Sequence, residues 1–277
     1  MSAAGTARGA AREVVSTVRA GADSRPLGWA ARLGLTARGV VYLLMGLLAV
    51  LVARGAPAEV DQKGALAQVV AHPYGELVVA VMAAGFAGYA LWRLSEALVG
   101  ISGEGRGLGP RVRSLVRGLV YAGLAVSAVA LLRGSRTSQA TQQQGLTART
   151  MEQPGGRWLV AAVGVVILGV GVALVVEGVR LRFMRYFPAG ALSPGVRHAV
   201  RVLGAVGTVA RGAVFALTGA LVVAAAWTFD PAKASGLDGA LKTLADQPFG
   251  PLLLTAAGAG LVAFGLYGLA EARYRRV

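Results

Sequence analysis

The sequence predicts an all-α membrane protein: six transmembrane helices forming three tandem, similarly oriented hairpins with a pseudo-threefold repeat. Three observations carry that prediction. The fragment Arg38-Gly39-Val40-Val41-Tyr42 returns as Arg117-Gly118-Leu119-Val120-Tyr121 and as Arg211-Gly212-Ala213-Val214-Phe215. Pro73, Pro154 and Pro248 each follow a glycine (Gly64, Gly145, Gly239) by nine residues and precede a glutamate (Glu96, Glu177, Glu271) by 23. Finally, 55% of the 277 residues are hydrophobic, mean hydropathy is +0.61, and there are 40 glycines. That composition suits helices packed closely in lipid. A repeat at fixed spacing is the signature of stacked supersecondary units.

The first element is the basic arm, residues 1–33. On a helical wheel Arg8, Arg12 and Arg19 share an arc beside Ala7, Ala11, Val14, Val18 and Ala22. The arm therefore reads as a surface-bound amphipathic helix or a disordered tail. Three hairpin repeats follow at 34–101, 109–183 and 201–277. Crossing a hydrocarbon core of about 30 Å takes roughly 20 apolar residues. Runs near 34–53, 77–100, 114–133, 157–179, 204–229 and 250–270 meet that length. The apolar run that follows the basic arm is too long for the apolar region of a cleaved signal peptide, so an uncleaved anchor is expected.

In the first and third outer loops, Leu66, Val69, Val70 and Leu237, Leu241, Leu244 follow helical spacing ahead of the proline. A short helix on the outer leaflet is expected in each, ended before Pro73 and Pro248. The middle loop, 134–156, is rich in Ser, Thr and Gln and lacks that periodicity, so its helix is expected to be lost.

The net charge of +15 is partitioned rather than patchy. With the N-terminus in the cytoplasm, cytoplasmic segments hold 16 Lys/Arg and the opposite side 8. The positive-inside rule favours that orientation, with both termini cytoplasmic and anionic lipid headgroups as the partner of the basic face. Basic residues interleaved with stacking aromatics are missing, so nucleic acid is not an expected partner. The localisation that follows is the cytoplasmic membrane, crossed several times.

Six helices in three hairpins, each entered through Arg-Gly-hydrophobic-hydrophobic-aromatic, resemble the bacterial membrane family labelled domain of unknown function 1206. The match is strongest across Gly236–Gly250 and Gly265–Tyr274 and extends over about 28–277. The resemblance implies three helix-pair domains and no particular activity. One departure stands out: Pro154-Gly155-Gly156 replaces the Pro-aromatic-Gly of Pro73-Tyr74-Gly75 and Pro248-Phe249-Gly250.

Candidate residues gather at the cytoplasmic edge. Arg38, Arg117 and Arg211 open helices one, three and five about one turn inside the hydrocarbon. Glu96, Glu177 and Glu271 reach the same depth at the exits of helices two, four and six. An antiparallel hairpin would set each arginine near its own repeat's glutamate, forming a structural latch or a gating ring. Local partners compete: Arg93 lies at i−3 of Glu96, Arg180 at i+3 of Glu177 and Arg275 at i+4 of Glu271. Glu271 follows more than 20 uncharged residues and is expected in the headgroups.

The membrane interior carries only Ser127, Thr218 and Thr255, whose hydroxyls commonly bond their own helix. No nucleophile is paired with a base, the two histidines (His72, His198) lie in loops, and cysteine is absent. No catalytic residue, metal site or cofactor is therefore assigned, and no enzyme activity is expected. Small residues at four-residue spacing, Thr208 to Ala224, Ala84 with Gly88, and Ala256 with Gly260, mark expected helix contacts. The leading expectation is a non-catalytic scaffold or interaction protein. The alternative is a channel or carrier for a small solute along the repeat axis.

Overall fold

The computed structural model describes residues 25–99, 108–135, 137–187 and 192–274. Of the basic arm expected over 1–33, residues 1–24 lie outside them and 25–33 begin the first long helix. Each repeat is a long helix, a short helix and a second long helix. In chain order these are α1 (Arg25–Ala53), α2 (Gln62–Val70), α3 (Gly75–Val99); α4 (Leu108–Leu132), α5 (Gln139–Met151), α6 (Gly156–Val179); and α7 (Pro194–Thr228), α8 (Gly236–Ala245), α9 (Gly250–Tyr274). The six long helices are long and apolar enough to cross a membrane. This is a multi-pass membrane protein. At 1.5 Å per residue, the 35 residues of α7 span about 52 Å and overrun a hydrocarbon core of about 30 Å.

The middle short helix is present, contrary to the expectation from its polar loop. At 13 residues α5 is longer than α2 or α8 and buries no residue. Its lack of apolar periodicity reflects that exposure, because a helix without a buried face needs no apolar stripe. Local polar bonds start and hold it: the Ser138 hydroxyl accepts from the Thr141 N–H, and Thr150 Oγ1 donates to the Leu146 carbonyl. The apolar faces of α2 and α8 turn into the protein. Leu66 and Leu241 are fully buried inside the protein.

The Pro-X-Gly departure is also resolved by geometry. Tyr74 and Phe249 sit at φ 63° and 60°, and Gly155 at 76°. The middle position is left-handed in every copy, and glycine is the residue that adopts it without strain. The glycine that follows is packed in all three. A Cβ added at Gly75, Gly156 or Gly250 would stand 1.6–1.8 Å from a backbone carbonyl oxygen. The middle copy keeps the turn and omits the aromatic.

The described residues cluster into two compact units: those within 25–37 and 76–133, and those within 38–75 and 134–274. In the first unit, α1 crosses α3 where a Cβ on Gly34 would meet the Gly85 carbonyl oxygen at 2.6 Å. Buried Phe86, Tyr89, Trp92 and Tyr121 form its aromatic centre, with Tyr89 and Tyr121 centroids 4.4 Å apart.

In the second unit, the helices meet along glycine seams. On α6 and α7, Gly171 faces Gly212 and Ala216, and Gly164 faces Gly219. On α9 and α1, Gly265 faces Gly39, and Gly258 faces Gly46. These are the same repeat positions: the residue after the arginine and the one seven later, against positions 10 and 17 after the proline. The α3–α4 contact of the first unit keeps the register. Gly118 packs on Leu94 as Gly39 packs on Leu269 and Gly212 on Val175. In every case the second long helix of one repeat packs on a first long helix of another. The expected four-residue ladders are only partly right: Ala84 and Ala256 are exposed, and the close approach runs through glycines seven apart.

Candidate functional site

The six residues singled out by the repeat do not form one uniform set. Arg38 on α1 is ion-paired to Glu271 on α9, their side chains 14% and 5% exposed. Glu271 is therefore buried, not in the headgroups. Counting uncharged residues along one helix treats it as alone in lipid and misses a cation 233 residues away in sequence. Glu271's own repeat contributes Arg211, and the two do not pair. Arg211 Nε donates to the Tyr42 hydroxyl at 2.9 Å. Its guanidinium lies 5.3 Å from the Tyr42 ring, 5.0 Å from Phe215 and 4.8 Å from Phe264. Phe264 also carries Arg38, 5.5 Å from its centroid. Two guanidinium groups thus share one ring, and one of them is neutralised by a carboxylate.

Glu96, in the first unit, accepts from its i−3 neighbour Arg93 at 2.8 Å and from Ser114 Oγ at 3.3 Å. Arg93 is only 3% exposed. Its Nε donates to the Tyr89 hydroxyl at 2.9 Å, and the group lies over Trp92, 4.4 Å away. Arg117 is exposed and Glu177 half-buried. Glu177 has no ion pair with Arg180 among the described residues, and Arg275 lies outside them.

A second constellation, at the proline end of the second unit, escaped the sequence reading. Lys63, Gln144 and Asp238 each stand ten residues before the repeat's proline. Each ties its short helix to the segment entering the next repeat's short helix, with the third repeat closing on the first. Lys63 Nζ donates to the Thr137 carbonyl and to Ser135 Oγ. Gln144 Nε2 donates to Ser235 Oγ at 2.7 Å and to the Ala232 carbonyl at 3.1 Å. Asp238 Oδ1 accepts from the Val60 N–H at 2.8 Å. The signal was available, since these residues immediately precede Gly64, Gly145 and Gly239. Their differing chemistry, cation, amide and anion, hid the equivalence.

Asp61 caps α2, accepting from the Gly64 N–H at 2.8 Å, and is 1% exposed. Burial pushes its carboxyl up to about 6, against the hydrogen bond from Gly64, and the charges of Glu59 and Asp238 add to the rise. An open cleft of about 610 Å³ beside it is lined by Val52, Ala56, Pro57, Glu59, Gln68 and Lys242, among others. Among the described residues no group of His, Asp and Glu is placed to hold a metal ion.

Three equivalent seams, three Pro-X-Gly turns and three equivalent cap residues define one unit repeated three times. A family model, Domain of Unknown Function (DUF1206), matches it at 33–100, 112–180 and 206–275. The chain belongs to the DUF1206 family. It is also 32% identical over 249 residues to the uncharacterized protein YxxB of Bacillus subtilis (strain 168), covering 89% of this chain and 90% of that one. No solved structure matches the chain.

Proposed function

We propose that this DUF1206 protein is a non-catalytic scaffold or interaction protein of the bacterial cytoplasmic membrane. The observation that supports this reading best is the backbone-to-backbone packing of the glycine seams. A Cβ on Gly171 would come within 2.3 Å of the Ala216 nitrogen, and one on Gly207 within 2.4 Å of Phe264 Cα. Side chains, waters and solutes have no room along such contacts, which suits a fixed platform more than a moving carrier. Thr218, buried on α7, spends its hydroxyl on the Val214 carbonyl of its own helix. The excess of Lys and Arg at one membrane face supports cytoplasmic termini and contact with anionic headgroups there.

The test is affinity purification from native membranes in mild detergent. A stoichiometric membrane-protein partner, retained through washing, is the expected result. Loss of every partner, together with a solute flux in reconstituted vesicles, would replace the scaffold with the channel or carrier.

A further inference from the structure

We propose that Arg211 is a binding site for a phosphate-type oxyanion, either a phospholipid headgroup phosphate or free phosphate. The inference deepens the anionic-headgroup contact of the proposed function and rests on its membrane placement, not on the scaffold role. Repeat equivalence frames the argument. The seams α9–α1 and α6–α7 share one register, so Glu177 stands to Arg211 as Glu271 stands to Arg38. Arg38 takes that partner. Arg211 turns away from Glu177, which makes no ion pair among the described residues, and enters a cage of Tyr42, Phe215 and Phe264.

That cage holds the guanidinium among three rings and commits Nε to Tyr42. The two Nη groups have no protein acceptor among the described residues, and the side chain is half-buried. The carboxylate near the end of its own repeat, Glu271, is ion-paired with Arg38. Aromatic faces stabilise a cation without accepting its N–H groups in the plane. A planar pair of Nη donors with no protein acceptor among the described residues matches the two oxygens of a phosphate.

The test uses the full chain purified in detergent and stripped of lipid. Thermal melting is followed while phosphatidylglycerol is added to the micelles, and separately while inorganic phosphate replaces chloride at constant ionic strength. At least one ligand should raise the melting temperature. In Arg211→Gln its midpoint should rise about tenfold, the loss expected for a charge-assisted contact of about 1.4 kcal/mol. In Arg201→Gln, an exposed arginine on the same helix, it should stay at the wild-type value. A response to phosphatidylglycerol alone identifies the lipid headgroup as the source, and a response to inorganic phosphate the soluble anion. Should Arg211→Gln fail to fold, Tyr42→Phe decides, because it removes only the hydroxyl that anchors Nε and should weaken binding severalfold. The proposal is overturned if neither ligand stabilises the protein, if Arg211→Gln and Arg201→Gln respond alike, or if Tyr42→Phe leaves the midpoint unchanged.

Discussion

Arg38 and Glu271 join the opening helix of the first repeat to the closing helix of the third, and both are largely withdrawn from solvent. Removing one member of such a pair strands the other charge in a poor dielectric, which typically costs about 3–5 kcal/mol. Glu271→Gln should therefore lower the melting temperature of the detergent-purified protein strongly, and Arg38→Met likewise. The double variant Arg38→Met, Glu271→Leu should recover much of the loss. Additive losses in that cycle would show that the pair is not coupled.

The glycine seams make a contrast available within a single helix. A Cβ on Gly171 of α6 would strike the α7 backbone, whereas one on Gly169 would meet nothing within 4 Å. Overpacking typically costs about 1–3 kcal/mol. Gly171→Ala should destabilise by that amount, while Gly169→Ala should be neutral or slightly stabilising because alanine is the better helix former. Equal melting shifts for the two would remove the seam as a determinant of packing.

How far these features were legible in the sequence depended on whether the signal was local. The six long helices were readable because lipid demands unbroken apolar runs, and the threefold repeat because Arg-Gly and Pro-X-Gly recur at fixed spacing. α5 was missed because its stabilisation comes from Ser138, Gln144 and Thr150 instead of an apolar face. The glycine contact was misplaced because a four-residue template was applied to helices that touch at residues seven apart, such as Gly212 and Gly219. The contacts read correctly at residue level lie within about one helix turn: Glu96 with Arg93, and the Thr218 and Thr255 hydroxyls on carbonyls of their own helices.

The Pro-X-Gly turn should discriminate between its copies. Gly155 at φ 76° has open space around a Cβ, so Gly155→Ala tests backbone strain alone. A left-handed alanine typically costs about 1–2 kcal/mol, and the melting temperature should fall accordingly. Tyr74→Gly and Phe249→Gly remove strained residues that are 84% and 81% exposed. In detergent both should be neutral to mildly stabilising. Destabilisation by either glycine would mean that the aromatic contributes more than its backbone costs.

The membrane orientation has its own check. A reporter active only outside the cytoplasm should be active when fused after Asp61 or Asp238, and silent after Gly105, Gly190 or Val277. Activity at Val277 would invert the proposed topology and detach the 16-to-8 basic asymmetry from the positive-inside rule.

Asp61 gives the N-terminus of α2 a dependence on pH whose sign follows from its raised pKa. The folded state holds the proton up to about pH 6, whereas the unfolded chain releases it near 3.8. Ionised Asp61 is thus a burden on the folded state that is complete above about pH 6 and absent below 3.8. Stability from this group should rise as pH falls from 6 toward 4, by about 1.4 kcal/mol per pH unit. Glu59 and Asp238 contribute to the upward shift, so Asp61 carries the effect but does not create it alone. Asp61→Asn retains an oxygen that can accept from the Gly64 N–H while removing the charge. It should raise the melting temperature at pH 7 and flatten the profile between pH 6 and 4. A variant that melts lower at pH 7, or that keeps the wild-type slope, would show that folding does not raise the Asp61 pKa.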